Sequence, residues 1–224
     1  MLLFDIDGTL LLTGGAGRVA LERAFEELFG IPDVWQNLIP DGKTDSVILN
    51  ELATNALGRS LKKKEFIHLR DRYLRLFRAE IKKSPRFRLM PGIRELLTAL
   101  SKKTNNLLGL ATGNFEDAAW LKVKQGGLKH FFKFGGFGSD SDHRLGLTHK
   151  AVQRGERLRG EEIHRHNVFV IGDTIHDIRA GKKLGIKTIA VATGSTQNHE
   201  LAAHQPDLLL DDLTKKEIFL EFVT

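Results

Sequence analysis

The sequence predicts an α/β protein, a doubly wound parallel sheet core whose first strand is followed by an inserted all-helical cap. Three observations point there. From about residue 93 onward, short and almost continuously apolar runs alternate with segments of helical periodicity, the pattern of parallel strands buried on both faces. Between the first apolar run and residue 85, helical patterns succeed one another with no convincing strand between them. Three of the apolar runs end in compact polar clusters, which is where an open parallel sheet carries its ligand crevice. The expected division is 1–13 with 86–224 for the α/β core, which is Rossmann-like, and 14–85 for the helical cap.

Taken in order, Met1 to Phe4 is a buried strand that ends at Asp5-Ile6-Asp7-Gly8-Thr9, and Thr13-Gly14-Gly15-Ala16-Gly17 is a flexible connector. Apolar residues recur at helical spacing in Val19 to Phe29, in Val47 to Leu57, and at Phe66, Leu69, Tyr73, Phe77 and Ile81. Pro85 to Pro91 reads as the return connector, and Pro91 stands near the start of a helix marked by Ile93, Leu96, Leu97 and Leu100. Leu107 to Ala111 is a strand ending in Thr112-Gly113-Asn114, followed by a helix from Glu116 to Gln125 that Gly126-Gly127 closes. A short strand at Phe134 to Phe137 and a helix over Leu147 to Leu158 come next. Asn167 to Ile171 is then a strand ending in Gly172-Asp173-Thr174. A helix to Leu184, stopped by Gly185, leads to strands at Lys187 to Ala192 and Asp207 to Leu210.

Composition narrows the function classes. The chain has 224 residues, 41% of them hydrophobic, enough to bury a full core without disulfides, and it contains no cysteine, so a thiol nucleophile and Cys-based zinc are excluded. No apolar run reaches the roughly 18 to 20 residues of a membrane span, and the N-terminal run is broken by Asp5 and Asp7, so a cytoplasmic protein without membrane contact is expected. The net charge of +6 could indicate nucleic acid or small anions. Residues 61–88, however, hold eleven basic and three acidic residues, which leaves the remainder slightly acidic. That segment is an amphipathic helix whose charged side is most simply solvated, and no aromatic platform accompanies it, so nucleic acid is not expected as a partner.

The polar strand ends carry the chemistry. Asp5 and Asp7 are two apart and lie on one side of an extended backbone, where neighbouring buried carboxylates repel unless a cation or a proton neutralises one. Asp173 adds an oxygen, and Asp177, one helical turn later, is placed to orient a metal-bound water. An all-oxygen site without cysteine favours Mg²⁺. Gly135 to Gly138 lacks the Gly-Lys-Ser/Thr of a phosphate loop and reads as a plain turn, while His164 and His166 read as solvated histidines.

Phe4-Asp5-Ile6-Asp7-Gly8-Thr9-Leu10, Thr112-Gly113-Asn114 and Gly172-Asp173-Thr174-Ile175-His176-Asp177 resemble, in order and spacing, the first, second and fourth motifs of the haloacid dehalogenase superfamily. The insert resembles the helical cap of its phosphoglycolate-phosphatase-like members. The resemblance implies that Asp5 is a nucleophile forming an aspartyl-phosphate and Asp7 the general acid and base. It further implies Mg²⁺ held by the Asp5 carboxylate, the Asp7 carbonyl and Asp173, with Asp177 nearby. Thr112 and Gly113, with Asn114 and Thr9 beside them, would contact the phosphoryl group. The third-motif cation is Arg144, at a loop-to-helix junction, or Lys150, six residues on. Gly42-Lys43-Thr44-Asp45 resembles a cap loop reaching the active site, with Lys43 as substrate contact and Gly42 permitting close approach; the two connectors would be its hinges. The expected activity is Mg²⁺-dependent hydrolysis of a small phosphorylated metabolite by a monomer or homodimer. A phosphomutase of the same superfamily is the alternative, and a nucleic-acid-binding protein using the basic helix is a remote one.

Overall fold

The computed structural model describes residues 1–35, 38–102 and 106–223. Strand β1 (Leu2–Phe4) is followed by a tight loop and β2 (Leu11–Leu12). Three helices come next, α1 (Ala16–Phe29), α2 (Asp45–Leu57) and α3 (Lys63–Lys83), and then β3 (Arg88–Leu89) and α4 (Ile93–Ser101). The alternating part runs β4 (Leu108–Thr112), α5 (Glu116–Gln125), β5 (Phe134–Phe137), α6 (Arg144–Arg159), β6 (Phe169–Gly172), α7 (Ile175–Leu184), β7 (Lys187–Val191), α8 (Asn198–Ala203), β8 (Leu208–Leu210) and α9 (Lys216–Phe222).

Six strands form one parallel sheet in the order β5-β4-β1-β6-β7-β8. The β1 strand is central, with Phe4 in register with Leu110 on one side and Ile171 on the other. The chain therefore leaves β1 at the point where strand order reverses, and Asp5 emerges between the ends of β4 and β6. One face of the sheet packs on Leu96, Leu97 and Leu100 of α4, Val123 of α5 and Phe219 of α9. The other packs on Leu147, Ala151 and Val152 of α6. Gly136 lies where a Cβ would collide with the Leu147 carbonyl, so α6 lies directly on β5.

The inserted helices have their own apolar centre. Ala20, Leu21, Ala24 and Phe25 of α1 meet Leu49 and Leu52 of α2 and Leu69, Tyr73 and Phe77 of α3, and the cluster continues into Phe115 and Ala118 beside and within α5. Ion pairs Arg23–Glu80 at 2.6 Å and Arg72–Glu27 at 2.9 Å join α1 to α3. Lys62, Lys63, Lys64, Arg75, Arg78, Lys82 and Lys83 are exposed, as the solvated-face reading expects.

Several details differ from the sequence expectation. The two connectors pair with each other, β2 against β3 with Leu11 opposite Leu89 and Leu12 opposite Arg88, a two-residue ladder too short to show a strand period in the sequence. Helix α1 begins at Ala16 inside the expected connector, with Gly15 in the left-handed conformation at its N-cap. Asn167 belongs to a 3₁₀ turn, so β6 starts at Phe169, and α6 starts at Arg144 instead of Leu147. Gly135 and Gly136 sit inside β5, not in a turn. The terminal helices α8 and α9 were not expected. Phe4 is fully buried, stacked on Phe219 at 6.3 Å and edge-on to Phe132 at 6.0 Å. Phe4→Ala is expected to lower the unfolding free energy by about 3–5 kcal/mol, measured by urea denaturation.

Candidate active site

A cavity of about 270 Å³ opens above the carboxyl ends of β1, β4 and β6. Asp5, Asp7, Thr112, Gly113, Asn114, Arg144 and Asp173 line it from the sheet side, and the insert closes it with Arg18, Leu21, Trp35, Lys43, Asp45 and Tyr73 among others. The three polar strand ends thus converge, as their placement in a parallel sheet requires.

Asp5 is buried, and its backbone N–H donates to the Ile171 carbonyl at 2.9 Å, which fixes the residue as a one-step extension of β1. Arg144, buried at the start of α6, donates from Nη1 to Asp5 Oδ1 at 3.2 Å and to the Ala111 carbonyl at 3.3 Å, and its Nε lies 3.4 Å from Asp177 Oδ1. Burial pushes the Asp5 carboxyl up to about 6, Arg144 opposing and Asp177 adding to the rise. Asp173 is also raised, by burial first and then by Asp5 and Asp177. Burial alone would lower the Arg144 guanidinium, but Asp177 and Asp5 beside it raise it on balance.

Asp5, Asp173 and Asp177 present oxygens within 4.8 Å of one another, and among the described residues this is the group of such ligating side chains that could hold a metal. Asp177 Oδ1 is buried without a hydrogen-bond partner, although the Arg144 Nε stands at ion-pair distance from it. Three hard oxygens, raised proton affinities and an unsatisfied lone pair fit a divalent cation such as Mg²⁺. The Asp7 carboxylate stands outside this group. It is turned to Lys122, whose Nζ donates to Oδ2 at 2.5 Å, so any part of Asp7 in holding a metal falls to its backbone.

The remaining expected residues separate clearly. Thr9 is fully buried and does not line the cavity; its hydroxyl donates to Asp173 Oδ1 at 2.8 Å, so it orients a carboxylate and is placed away from substrate. Asp177 Oδ2 accepts from the Thr174 hydroxyl at 2.7 Å and its N–H at 3.3 Å, capping α7. Lys150 is exposed and does not line the cavity. Because α6 begins at Arg144, six further residues turn Lys150 well away from the face that meets the sheet. Of the two third-motif candidates, Arg144 is the one brought to the carboxylates. Thr112 is buried against the cavity and its Oγ1 accepts from the Asn114 N–H at 3.4 Å. Asn114 Oδ1 is buried without a partner, free to meet something in the cavity.

From the insert, Lys43 lines the cavity but its ammonium is bound to Glu51. Gly42 permits a close approach as expected, yet what it approaches is the His176 ring, which a Cβ would strike. Gly113 meets the Lys43 carbonyl in the same way, so this glycine seats the insert loop on the core. The seat is completed by Asp45, whose N–H donates to the Gly113 carbonyl at 2.8 Å and whose Oδ2 accepts from the Phe115 N–H at 2.8 Å.

Lys122 and the bridging role of Asp45 escaped sequence reasoning. Lys122 had a visible signal, since with Ala118, Ala119 and Val123 it occupies the buried stripe of α5, where an unpaired lysine is not tolerated. Asp45 had none, because an acidic residue in a helix's first turn is ordinary.

Such a site defines a doubly wound α/β enzyme that works with carboxylates at the carboxyl ends of its strands. A family model described as haloacid dehalogenase-like hydrolase matches residues 2–191, and the chain belongs to that family. It is 26% identical over 217 residues to a phosphoglycolate phosphatase of Agrobacterium fabrum, covering 94% of this chain and 87% of the relative. It is 22% identical over 225 residues to the pyrophosphatase PpaX of Oceanobacillus iheyensis, covering 95% and 92%. Among solved structures, CbbY from Rhodobacter sphaeroides in complex with phosphate superposes with a TM-score of 0.70 at 21% identity, covering 96% of this chain and 94% of that one, a likeness of fold.

Burial pushes the Asp45 carboxyl from 3.8 to about 6, against the opposing effect of Lys122. A carboxyl whose folded pKa exceeds its unfolded one binds more protons when folded, so its contribution is most favourable below pH 4 and declines as pH rises through 6. Stability measured at pH 4 and pH 7 should therefore fall less in Asp45→Asn than in the wild type, by up to about 3 kcal/mol; equal declines would contradict the assignment.

Proposed function

We propose that the protein is a Mg²⁺-dependent phosphatase that hydrolyses a small phosphorylated metabolite, phosphoglycolate-like or a sugar phosphate, through an aspartyl-phosphate on Asp5. The observation that carries this reading is the buried Asp5 at the switch point of the sheet, flanked by Arg144 and Asp173 and opening into a small cavity beside Thr112 and Gly113. Family membership and the phosphatase names of the curated relatives support it.

In this mechanism an Asp5 oxygen attacks phosphorus as the bond to the leaving oxygen breaks, and Asp7 gives that oxygen its proton. A water then attacks the phosphoryl group, losing its proton to Asp7, and phosphate departs with Asp5 restored. Arg144 holds Asp5 in place and offsets phosphoryl charge. Thr112 Oγ1 and the Gly113 N–H bind phosphoryl oxygens, while Thr9 keeps Asp173 oriented. A divalent cation held by Asp5 and Asp173, with Asp177 beside them, supplies charge neutralisation and alignment of the phosphoryl group. The insert walls the cavity with Leu21, Trp35 and Tyr73, which limits water and sets the size of the leaving group.

We place this enzyme in the cytoplasm, which the absence of cysteine fits, and take it to act as monomer or homodimer. Among the described residues no helix is long and apolar enough to cross a membrane.

Phosphate release from a panel of phosphorylated metabolites tests the reading. Asp5→Asn should lose at least about 10³-fold in kcat with its fold intact, and EDTA should stop the wild type until Mg²⁺ is restored. Turnover by Asp5→Asn at the wild-type rate would remove the nucleophile. A mutase would show itself by phosphoryl transfer between sugar positions with little free phosphate. Arg144→Ala should cost roughly 10²-fold or more in kcat/KM, against less than about twofold for Lys150→Ala; full activity of the Arg144 variant would reject its role.

A further inference from the structure

Lys122 is a buried cation that the mechanism above does not use. It stands in the buried stripe of α5 with Ala118, Ala119 and Val123, with its side chain 7% exposed, and a lysine ammonium so placed costs several kcal/mol unless it is paired. Its pairing comes from two parts of the molecule. The core loop after β1 contributes the Asp7 carboxylate at 2.5 Å. The insert contributes the Phe77 ring of α3, whose centroid lies 5.9 Å from Nζ, and the nearby Asp45 carboxylate of α2, which Lys122 holds toward its charged form. Asp45 is in turn bolted to the start of α5 through the Phe115 N–H. The Tyr73 hydroxyl completes the surroundings, its proton held by burial and by Asp45 and Asp7.

Asp7, by contrast, is 41% exposed in its side chain, and among the described residues Lys122 is the hydrogen-bond partner recorded for its carboxylate. A half-exposed Asp has two freely turning torsions, whereas proton transfer needs the carboxyl within hydrogen-bond reach of one particular oxygen. We propose that Lys122 is the positioning residue of Asp7, and that the seat of Lys122 is completed by the insert through Phe77 and Asp45. Lys122 then acts on leaving-group protonation through Asp7 without touching phosphorus. It also ties the orientation of the acid to the seating of the insert, so that Asp7 is held for proton transfer when the cavity is covered. The proposal rests on the reading of Asp7 as the general acid.

The test compares two aryl esters of similar size, phenyl phosphate and p-nitrophenyl phosphate, with the full-length protein and Mg²⁺. Phenolate leaves poorly without a proton and p-nitrophenolate leaves well, and kcat/KM reports the steps through departure of the leaving group. Lys122→Met is expected to lower kcat/KM about tenfold or more for phenyl phosphate and less than about threefold for p-nitrophenyl phosphate, with Lys122→Arg recovering part of the loss. On an Asp7→Asn background, Lys122→Met should add nothing further. Equal losses with both esters, or an undiminished effect on the Asp7→Asn background, would overturn the proposal. If Lys122→Met fails to fold, Lys122→Gln is read for the same contrast. A crystal structure of the wild type with Lys122 Nζ out of hydrogen-bond reach of Asp7 overturns it independently of any variant. Failure of the underlying mechanism looks different, because Asp5→Asn would then retain turnover; a dead Asp5→Asn together with equal losses in Lys122→Met removes this proposal alone.

Discussion

Three carboxylates share a space in which their oxygens lie within 4.8 Å of one another, all of them buried. Like charges at that separation repel by on the order of 3 kcal/mol at an effective dielectric of 20, before any loss of hydration is counted. The surroundings of Asp5, Asp173 and Asp177 are organised around that repulsion. Arg144 is buried between Asp5 and Asp177, Thr9 donates to Asp173, and Thr174 donates to Asp177. Room for the cluster comes from absent side chains, since a Cβ at Gly8 or Gly194 would strike the Asp173 carboxylate and one at Gly172 would strike Asp177. One guanidinium does not balance three carboxylates, and the proton affinities of Asp5 and Asp173 are raised by burial first and by the neighbouring carboxylates after it. A hard divalent cation would correct that imbalance while leaving Asp5 ionised, the state the proposed nucleophile needs.

The same region joins the insert to the core, and it does so mostly through backbone. The carbonyl of Gly113 accepts from Asp45, and Gly138 packs so closely on that carbonyl that a Cβ there would collide with it. Segments that would bind the phosphoryl group are therefore also the segments on which the insert rests. Below them, β2 and β3 hold the two crossings of the chain together as a short antiparallel pair, which restricts how the insert can swing. Opening the cavity means breaking the Asp45 contacts with Gly113 and Phe115, and the Gly42 contact with His176. Each is individually modest.

Much of this was legible in the chain because it follows from periodicity and from where polar residues interrupt it. Apolar runs ending in Asp5, Thr112 and Asp173 pointed to parallel strands meeting at one edge, whereas the order of the strands was not legible in the sequence. What stayed hidden depends on three-dimensional neighbours. Thr9 follows the Asp5-Asp7 pair and looks available to substrate, but the turn through Gly8 carries it inward to Asp173. Arg144 and Lys150 are equally basic, and the start of α6 is what separates them. The helices α8 and α9, of six and seven residues, are too short to declare a period, and β2 and β3 are two residues each.

The basic character of the chain can be placed in the same terms. Most of the excess lies on the outer face of α3, where interactions in physiological salt fade over about 8 Å. Such charge shapes the approach of an anion but does little against carboxylates inside the cavity. There the phosphate group would meet Asp5, Asp7, Asp45 and Asp173, and the opposing charge has to be local. Arg18 and Lys43 reach the cavity already paired with Glu22 and Glu51. The two deeply buried cations, Arg144 and Lys122, are each committed to a different carboxylate of the first motif, one to Asp5 and one to Asp7. Arg144 also meets Asp177, and the two cations together leave the cavity's carboxylates in excess. On the proposed reading, attraction of a phosphorylated substrate would then rest largely on the divalent cation, which would make the oxygen-lined cluster at the end of β1 a condition for binding as well as for chemistry.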